Sequence, residues 1–300
     1  MSQKEAIHRH HLIIQQLRKK PSSFAEIDAV LQRASELDDR NYTVSQRTLK
    51  RDMDDILSLY NLEIEFDFSS KVYCLKEDDN NNRHQEKMLE AYDMLHALKL
   101  SNGYANIVQY EDRNPQGTEH MHGIIHAIKN KLQIRFTYQR FWEDKVSQRT
   151  IEPYFLKQFE FRWYVIGWDN SKNDIRTFGL DRISNLEILT EKYRAKKQTE
   201  ANNLFKHCYG IIVPENKKVE EVILSFDSEQ GKYIKSLPLH HSQQILIDTT
   251  DELRLQLSIY ITDDFIMKLL SYGDEVQVLK PQSLVDKMKE IFVCGLNLYK

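Results

Sequence analysis

The spacing of apolar residues changes along the chain and separates it into segments. Up to about residue 77 the spacing is helical and then strand-like, and the polar run EDDNNNRHQ over 77–85 follows as a predicted exposed connector. Residues 86–131 return to helical spacing, and from Leu132 apolar and polar residues alternate in short runs. The domains that these changes predict are 1–77, 78–131, 132–195 and 215–300.

The two later domains have different strand patterns. Five strand-like runs with short turns follow Leu132, which predicts a small antiparallel barrel or sandwich. From about residue 219, strand-like runs alternate with helical ones, which predicts a small α/β sandwich of the ferredoxin-like type. The predicted class is therefore a multidomain α+β protein.

Composition limits the cellular location of the protein more than it limits its function. The 300 residues carry a net charge of −3, which excludes a globally basic nucleic-acid binder but not a locally basic surface. No run approaches the roughly 20 apolar residues of a membrane span, and the N-terminus lacks the apolar core of a signal peptide. The three cysteines are far apart, which favours a reducing cytoplasm without a disulfide framework.

The sharpest local pattern is TVSQRTLKRDMDDILSLY over 43–60. Ser45 is placed to cap a helix N-terminus. Arg47, Lys50 and Arg51 fall within the first two turns, as the start of a DNA recognition helix requires. The predicted apolar stripe on the other side consists of Leu49, Met53, Ile56, Leu57 and Tyr60.

The surroundings of this helix support DNA binding. Two helical runs precede it, and a hairpin follows whose tip at 69–71 has the place of a wing. The structural alternative is a charged helix face that is only solvated. Residues 1–76 contain 12 Lys and Arg and 12 Asp and Glu, so the domain has no overall positive charge. The run His8 to His11 in the first helix is predicted to be solvated or close to phosphate. The predicted DNA-contacting residues are Ser45, Gln46, Arg47, Thr48, Lys50, Arg51 and Lys71.

These motifs resemble a known family of bacterial regulators. Residues 44–52, VSQRTLKRD, are similar to the winged helix-turn-helix of DeoR-like regulators, and IRFTYQRF, RTIEPYFL, RWYVIGWD and IRTFGLDRI together resemble a WYL domain. Residues 219–300 resemble the extension that follows it. The resemblance implies a homodimeric, DNA-binding transcriptional regulator with a small Sm-like β-barrel that senses a ligand, in some members a nucleotide or single-stranded DNA.

The strand FRWYVIGW over 161–168 carries an adjacent Trp-Tyr pair, and adjacent strand residues point to opposite faces. Either both faces are buried, or one aromatic residue belongs to a site. Alternation predicts that Trp163 and Val165 face the core, while Tyr164 faces outward beside Arg162.

An arginine and tyrosine surface is predicted on the same domain. In the next strand alternation places Arg176, Phe178, Leu180 and Arg182 on one face. Arginine binds phosphate through two parallel hydrogen bonds and aromatic rings stack on bases, so a nucleotide or single-stranded nucleic acid fits as effector. Packing of Tyr164 and an Asp181–Arg182 ion pair are the structural alternatives. The predicted effector-binding residues are Tyr138, Arg149, Tyr164, Arg176 and Arg182.

One position departs from the family pattern. The resemblance implies arginine in the fourth position of R-x-F-R-L-D-R, where this chain has Gly179. The missing charge weakens the case for a ligand with several phosphates and points towards a different effector.

Weaker sequence patterns leave other functions open. Glu119, His122 and His126 have a helical spacing that suits a metal, although such residues more often form a polar helix face, and no metal or cofactor is predicted. The phosphate-binding and hydrolase motifs are missing from the sequence, so an enzyme is not expected. The predicted function is a transcriptional regulator with a DNA operator and an effector; the alternative is a nucleic-acid- or partner-binding regulatory protein that does not act at promoters.

Overall fold

The computed structural model describes residues 3–38, 40–76, 90–91, 117–141 and 145–300. The chain divides into two compact units, Met1–Asp112 and Arg113–Lys300. The predicted connector at 77–85 and the helical run at 88–100 lie outside the described residues, apart from residues 90–91. The α+β class is confirmed.

In the first unit, the described residues up to 76 form three helices and a hairpin. Its apolar core includes Ile14, Leu31, Leu49 and Ile56, contributed by all three helices. Backbone hydrogen bonds between Ser22 and Tyr73 attach the loop after the first helix to the hairpin. The elements are α1 (Gln3–Lys19), α2 (Phe24–Asp38), α3 (Gln46–Tyr60), β1 (Ile64–Asp67) and β2 (Val72–Leu75).

The second unit begins with a five-stranded antiparallel sheet in the order β6-β5-β4-β3-β7. Within the described residues no hydrogen-bonded register joins β6 to β7, so the predicted barrel is not closed. A 3₁₀ turn at Leu180–Arg182 separates these two edge strands. The elements are α4 (Met121–Asn130), β3 (Leu132–Arg140), β4 (Lys145–Phe159), β5 (Arg162–Asp169), β6 (Asp174–Gly179), β7 (Ile183–Lys192) and α5 (Gln198–Phe205).

Both faces of this sheet are covered. Ile124 and Ala127 of α4 pack on one face together with Phe136 and Val165. On the other face, Phe205 of α5 lies in a second apolar cluster. The central strand β5 therefore has apolar neighbours on both sides.

The second unit ends in a four-stranded antiparallel sheet in the order β11-β8-β10-β9. Strands and helices follow each other as β-α-β-β-α-β with a final helix, as the alternating sequence pattern predicts. Leu224, Leu255 and Phe265 are among the buried core residues. The elements are β8 (Glu220–Asp227), α6 (Ser228–Ser236), β9 (Gln244–Asp248), β10 (Glu252–Ile259), α7 (Asp263–Leu270), β11 (Val276–Lys280) and α8 (Gln282–Asn297).

The connection at 206–219 is hydrogen-bonded both to helix α7 and to strand β6. The Asp264 carboxylate accepts hydrogen bonds from the backbone N–H groups of Ile211 and Ile212, at 2.8 and 3.2 Å. Thr177 Oγ1 on β6 donates to the Ile211 carbonyl at 3.4 Å. A chain segment held from both sides provides a physical link between the five-stranded sheet and α7.

Candidate functional site

Helix α3 begins where the capping pattern predicts. Ser45 has extended backbone angles, and its side chain accepts a hydrogen bond from the Thr48 backbone N–H at 3.3 Å. This bond satisfies one of the free N–H groups at the helix start. The predicted N-cap is therefore confirmed, and the helix starts at Gln46.

The start of α3 presents cations to solvent. Arg47, Lys50 and Arg51 are all exposed, and within the described residues none of them forms an ion pair. Leu49 and Ile56 on the opposite side are buried in the core. Leu57, predicted in the apolar stripe, is instead 45% exposed because it lies just past the edge of the buried face.

A buried ion pair joins α3 to α1. The Arg9 guanidinium donates two hydrogen bonds to Asp52, both of 2.7 Å, and each side chain is 1% exposed. His10 Nε2 lies 3.3 Å from the same carboxylate. Burial by itself raises the pKa of Asp52, but the hydrogen bonds from Arg9 and His10 outweigh it and hold that pKa below its ordinary value.

This pair corrects the prediction for the first helix. The residues from His8 to His11 are all buried, whereas a solvated or phosphate-near run was predicted. An arginine can be buried there because Asp52 supplies its countercharge from another helix. The polar side chains of the run therefore belong to the interior of the domain.

The hairpin tip is held by its own hydrogen bonds. The Asp67 carboxylate accepts from the Ser69 N–H at 2.8 Å and from the hydroxyls of Ser69 and Ser70 at 2.6 and 2.5 Å. These bonds lower the pKa of Asp67 to about 2. Lys71 is exposed at the end of this turn, beside the start of β2.

A cavity of about 670 Å³ opens on the five-stranded sheet. Four of the five predicted effector-binding residues line it: Tyr138, Arg149, Arg176 and Arg182. Its other lining residues are Arg140, Phe141, Asp169, Lys172, Thr177 and Phe178. Five of the ten are cationic and one is a carboxylate, so the cavity suits an anion with a flat apolar part.

Arg149 is fixed in this cavity by three acceptors. Its guanidinium lies 3.3 Å from Asp169 and donates to the hydroxyls of Ser147 and Ser171, both at 3.1 Å. Arg176 is freer, with a 54% exposed side chain whose guanidinium is 3.3 Å from Asp174. The cavity therefore holds one rigid and one adaptable arginine.

Arg182 lies against aromatic rings. Its guanidinium carbon is 5.2 Å from the centre of the Tyr138 ring and 5.5 Å from that of Phe141. Burial raises the pKa of Tyr138, partly offset by Arg182. The predicted strand alternation beyond Gly179 is wrong, because the chain turns into the 3₁₀ helix there; Leu180 is buried and Arg182 still reaches the cavity.

Tyr164 does not face outward as predicted. It is 6% exposed and lies in the apolar cluster under α5, while Val165 lies in the cluster under α4. Burial raises the pKa of Tyr164. Of the two readings of the Trp-Tyr pair, burial of both faces is correct, because each face of the sheet carries its own helix.

Several lining residues escaped the sequence prediction. Arg140 is two residues beyond Tyr138 on β3, so strand alternation already places it on the same face. Phe141 follows directly. Lys172 lies in the turn after β5, where no periodic pattern applies, and only the fold brings it to the cavity.

The weak metal pattern is not supported. Within the described residues, the three ligand-type side chains whose ligand atoms lie within 4.8 Å of one another are His10, Asp52 and Asp55, not Glu119, His122 and His126. The last two are exposed along α4. Asp52 is already bound by Arg9, so its countercharge is in place.

Fold and sites together define a multidomain α+β protein with a cationic helix in one unit and a cation-lined cavity in the other. Residues 119–188 match the WYL domain and residues 218–292 match the WCX domain. The WYL domain and the extension after it, both inferred from the sequence resemblance, are therefore confirmed over these residues, and the DeoR-like character of residues 1–77 stays a prediction.

A curated relative also matches. The Bacillus subtilis (strain 168) protein named "Uncharacterized HTH-type transcriptional regulator YobV" is 30% identical over 170 residues, which are 55% of this chain and 50% of that protein. The chain thus spans about half the length of this relative.

Two solved structures are similar at low identity. Proteasome accessory factor B/C of Arthrobacter aurescens has a TM-score of 0.36 at 20% identity, covering 95% of this chain and 46% of that chain. A CRISPR Cas-related protein has a TM-score of 0.40 at 12% identity, covering 88% of this chain and 76% of that one. Among the helices in the described part of this chain, none has the length and apolar character that crossing a membrane requires.

Proposed function

We propose that this protein is a DNA-binding transcriptional regulator without enzymatic activity. In this proposal residues 1–77 form a DeoR-like winged helix-turn-helix, the WYL domain is an Sm-like sensor, and the last domain is a ferredoxin-like sandwich. The name of the Bacillus subtilis relative supports a regulatory role. The protein acts in the cytoplasm as a homodimer, and its operator half-sites lie about one helical turn of DNA, or a multiple of it, apart.

The exposed cations of α3 are the observation that carries DNA binding. Arg47, Lys50 and Arg51 occupy the first two turns, where a recognition helix meets bases and phosphates. The buried Arg9–Asp52 pair anchors the opposite side of this helix to α1. Ser45, Gln46 and Thr48 at the helix start, and Lys71 at the hairpin, are the further proposed contacts.

The test is binding to the DNA that flanks the protein's own gene. We expect saturable binding that Arg51→Ala weakens about tenfold or more, because a lost base or phosphate contact is worth roughly 1–3 kcal/mol. Arg33→Ala is the matched control, since Arg33 is an exposed arginine that lies on α2 and not on α3. Equal weakening by both substitutions would contradict the assignment of α3.

The WYL cavity is the proposed effector site. Arg149, Arg176 and Arg182 supply charge for phosphate groups, and Tyr138 offers an aromatic ring to a base. A nucleotide or a single-stranded nucleic acid fits these groups. An effector that prefers one conformation by about 1–3 kcal/mol changes operator occupancy several-fold.

The test of the sensor is to purify the protein from its native cells and identify any co-purifying nucleotide or DNA. We expect a phosphate-bearing ligand that is lost in the Arg176→Ala variant while the fold and duplex binding are retained. Retention of the same ligand by the variant would contradict an effector site in this cavity.

The alternative is a regulatory protein that binds nucleic acid or a partner protein away from promoters. The observation that favours it is the cavity lining of arginines and aromatic residues, which suits single-stranded nucleic acid. Capture of genomic fragments separates the two functions: recovery of defined promoter duplexes supports the regulator, and recovery of random duplex or of single strands alone supports the alternative.

A further inference from the structure

Arg182, which lines the WYL cavity, lies next to Gly179, where there is no side chain. A Cβ atom at this position would lie 2.5 Å from Asp181 Oδ1 and 2.9 and 3.0 Å from Nη2 and Nε of Arg182. A side chain at this position would therefore force the flexible ends of Asp181 and Arg182 to shift. The glycine thus leaves room for the positions that these two side chains occupy.

Asp181 and Arg182 face each other without a hydrogen bond. Arg182 Nε lies 3.8 Å from Asp181 Oδ1, too far for a hydrogen bond but close enough for strong attraction. Both atoms are buried, and in the described part of the chain neither has a hydrogen-bond partner. Arg162 holds the other carboxylate oxygen at 3.1 Å and so keeps Asp181 in place.

Arg182 and Arg149 differ in how firmly hydrogen bonds hold their guanidinium groups. Three acceptors within 3.3 Å hold the Arg149 guanidinium, so it turns towards a ligand only by breaking those contacts. Arg182 rests on aromatic rings and near one carboxylate, and its Nε retains an unused donor. An anion that draws the Arg182 side chain away from Asp181 can therefore accept a hydrogen bond from Nε that Asp181 does not accept.

We propose that Asp181 is an internal counter-ion for Arg182 which an anionic effector must displace, and that Gly179 is the specificity-determining residue that makes room for it. This inference rests on the proposed effector role of the cavity and deepens it. The counter-ion lowers the affinity for simple anions. Effectors that also gain aromatic contacts with Tyr138 and Phe141 overcome it, so the cavity discriminates against small inorganic phosphates.

The experiment is calorimetric titration of the full chain with inorganic pyrophosphate. Asp181→Asn removes the counter-ion, and we expect about tenfold tighter binding. Glu187→Gln is the matched control, since it removes one negative charge from the same domain, where Glu187 pairs with Arg135 outside the cavity lining. Its affinity should equal that of the wild type.

Gly179→Ala provides a second variant that keeps all charges. Gly179 has φ −67° and ψ 131°, which alanine adopts freely, so the fold should be retained. The added methyl group meets Asp181 Oδ1 at 2.5 Å, closer than either Arg182 nitrogen, so it should displace chiefly Asp181. We expect tighter pyrophosphate binding in the wild-type background and no further gain in the Asp181→Asn background.

The outcomes separate this inference from the proposed function. If the wild type binds and Arg176→Ala weakens binding, but Asp181→Asn and Gly179→Ala change nothing, the counter-ion is refuted and the effector cavity stands. Equal gains for Asp181→Asn and Glu187→Gln also refute it, because they would reflect net charge alone. If neither the wild type nor any variant binds pyrophosphate, the anion site and its counter-ion both fall.

Discussion

The cations of α3 and the arginines of the WYL cavity are arranged in opposite ways. Arg47, Lys50 and Arg51 are exposed and form no ion pair within the described residues. In the cavity, Arg149, Arg176 and Arg182 each have a carboxylate within 4.0 Å. One region offers uncompensated positive charge, and the other offers charge that is already partly neutralised.

The two arrangements select different kinds of ligand. Free cations at a helix start attract any duplex phosphate, which gives strong and salt-dependent binding with register supplied by a few contacts. Compensated arginines bind an anion only if it replaces or outcompetes their carboxylates. A site of that kind favours a defined ligand over bulk anions.

The largest effect on stability is expected at the buried ion pair between Arg9 and Asp52. Asp52→Ala leaves the 1% exposed Arg9 without its countercharge, which should cost about 3–5 kcal/mol in the free energy of unfolding. Urea denaturation measures this change. Asp54→Ala is the control on the same helix, because Asp54 is exposed, and it should change stability by less than about 0.5 kcal/mol.

The same pair predicts an acid limit for the first unit. The pKa of Asp52 is lower in the folded protein than in the unfolded chain, so the ionised carboxylate stabilises the fold above the unfolded pKa of about 4. That stability is lost as the pH falls below about 4 through the folded pKa. Denaturation at several pH values should show the loss in the wild type and a smaller one in Asp52→Asn; equal losses would contradict it.

The free cations should be visible in the salt dependence of DNA binding. Each of Arg47→Ala and Arg51→Ala should weaken duplex binding by about 1–3 kcal/mol or reduce the salt slope by about one, depending on whether the lost contact was to a base or a phosphate. Titrations at several salt concentrations measure both quantities. A slope and affinity unchanged in both variants would remove α3 from the interface.

The smallest effect concerns the helix start itself. Ser45→Ala removes the side-chain acceptor for the Thr48 N–H and should cost about 1 kcal/mol of stability. Ser45→Gly is the conservative comparison, since glycine at this position costs only a few tenths of a kcal/mol. Thermal unfolding should therefore give a lower Tm for Ser45→Ala than for Ser45→Gly.

Local patterns predicted local structure well in this protein. The N-cap at Ser45 and the buried side of α3 follow from hydrogen-bonding chemistry and helical period alone, which need no knowledge of other elements. The predicted burial of Leu57 was wrong because the width of the buried stripe depends on what packs against it. The predicted solvation of Arg9 was wrong because its countercharge, Asp52, lies 43 residues away in sequence.

The cavity was partly predictable for the same reason. Tyr138, Arg149 and Arg176 lie on strands, and all three line the cavity, although among these three alternation was applied only to the strand of Arg176. Tyr164 also lies on a strand, but alternation only assigns a face, and the burial of that face depends on α5, which comes more than 30 residues later. Arg182 was found although the strand count that placed it ends at Gly179.

The most direct test compares duplex binding by three proteins at one salt concentration near 150 mM: the wild type, Arg47→Ala/Arg51→Ala and Arg176→Ala. We predict that the first pair of substitutions abolishes saturable binding to the DNA flanking the gene, whereas Arg176→Ala retains wild-type affinity in the absence of effector. Loss of duplex binding in Arg176→Ala, with binding retained by the α3 variant, would contradict the division of roles between the two sets of cations.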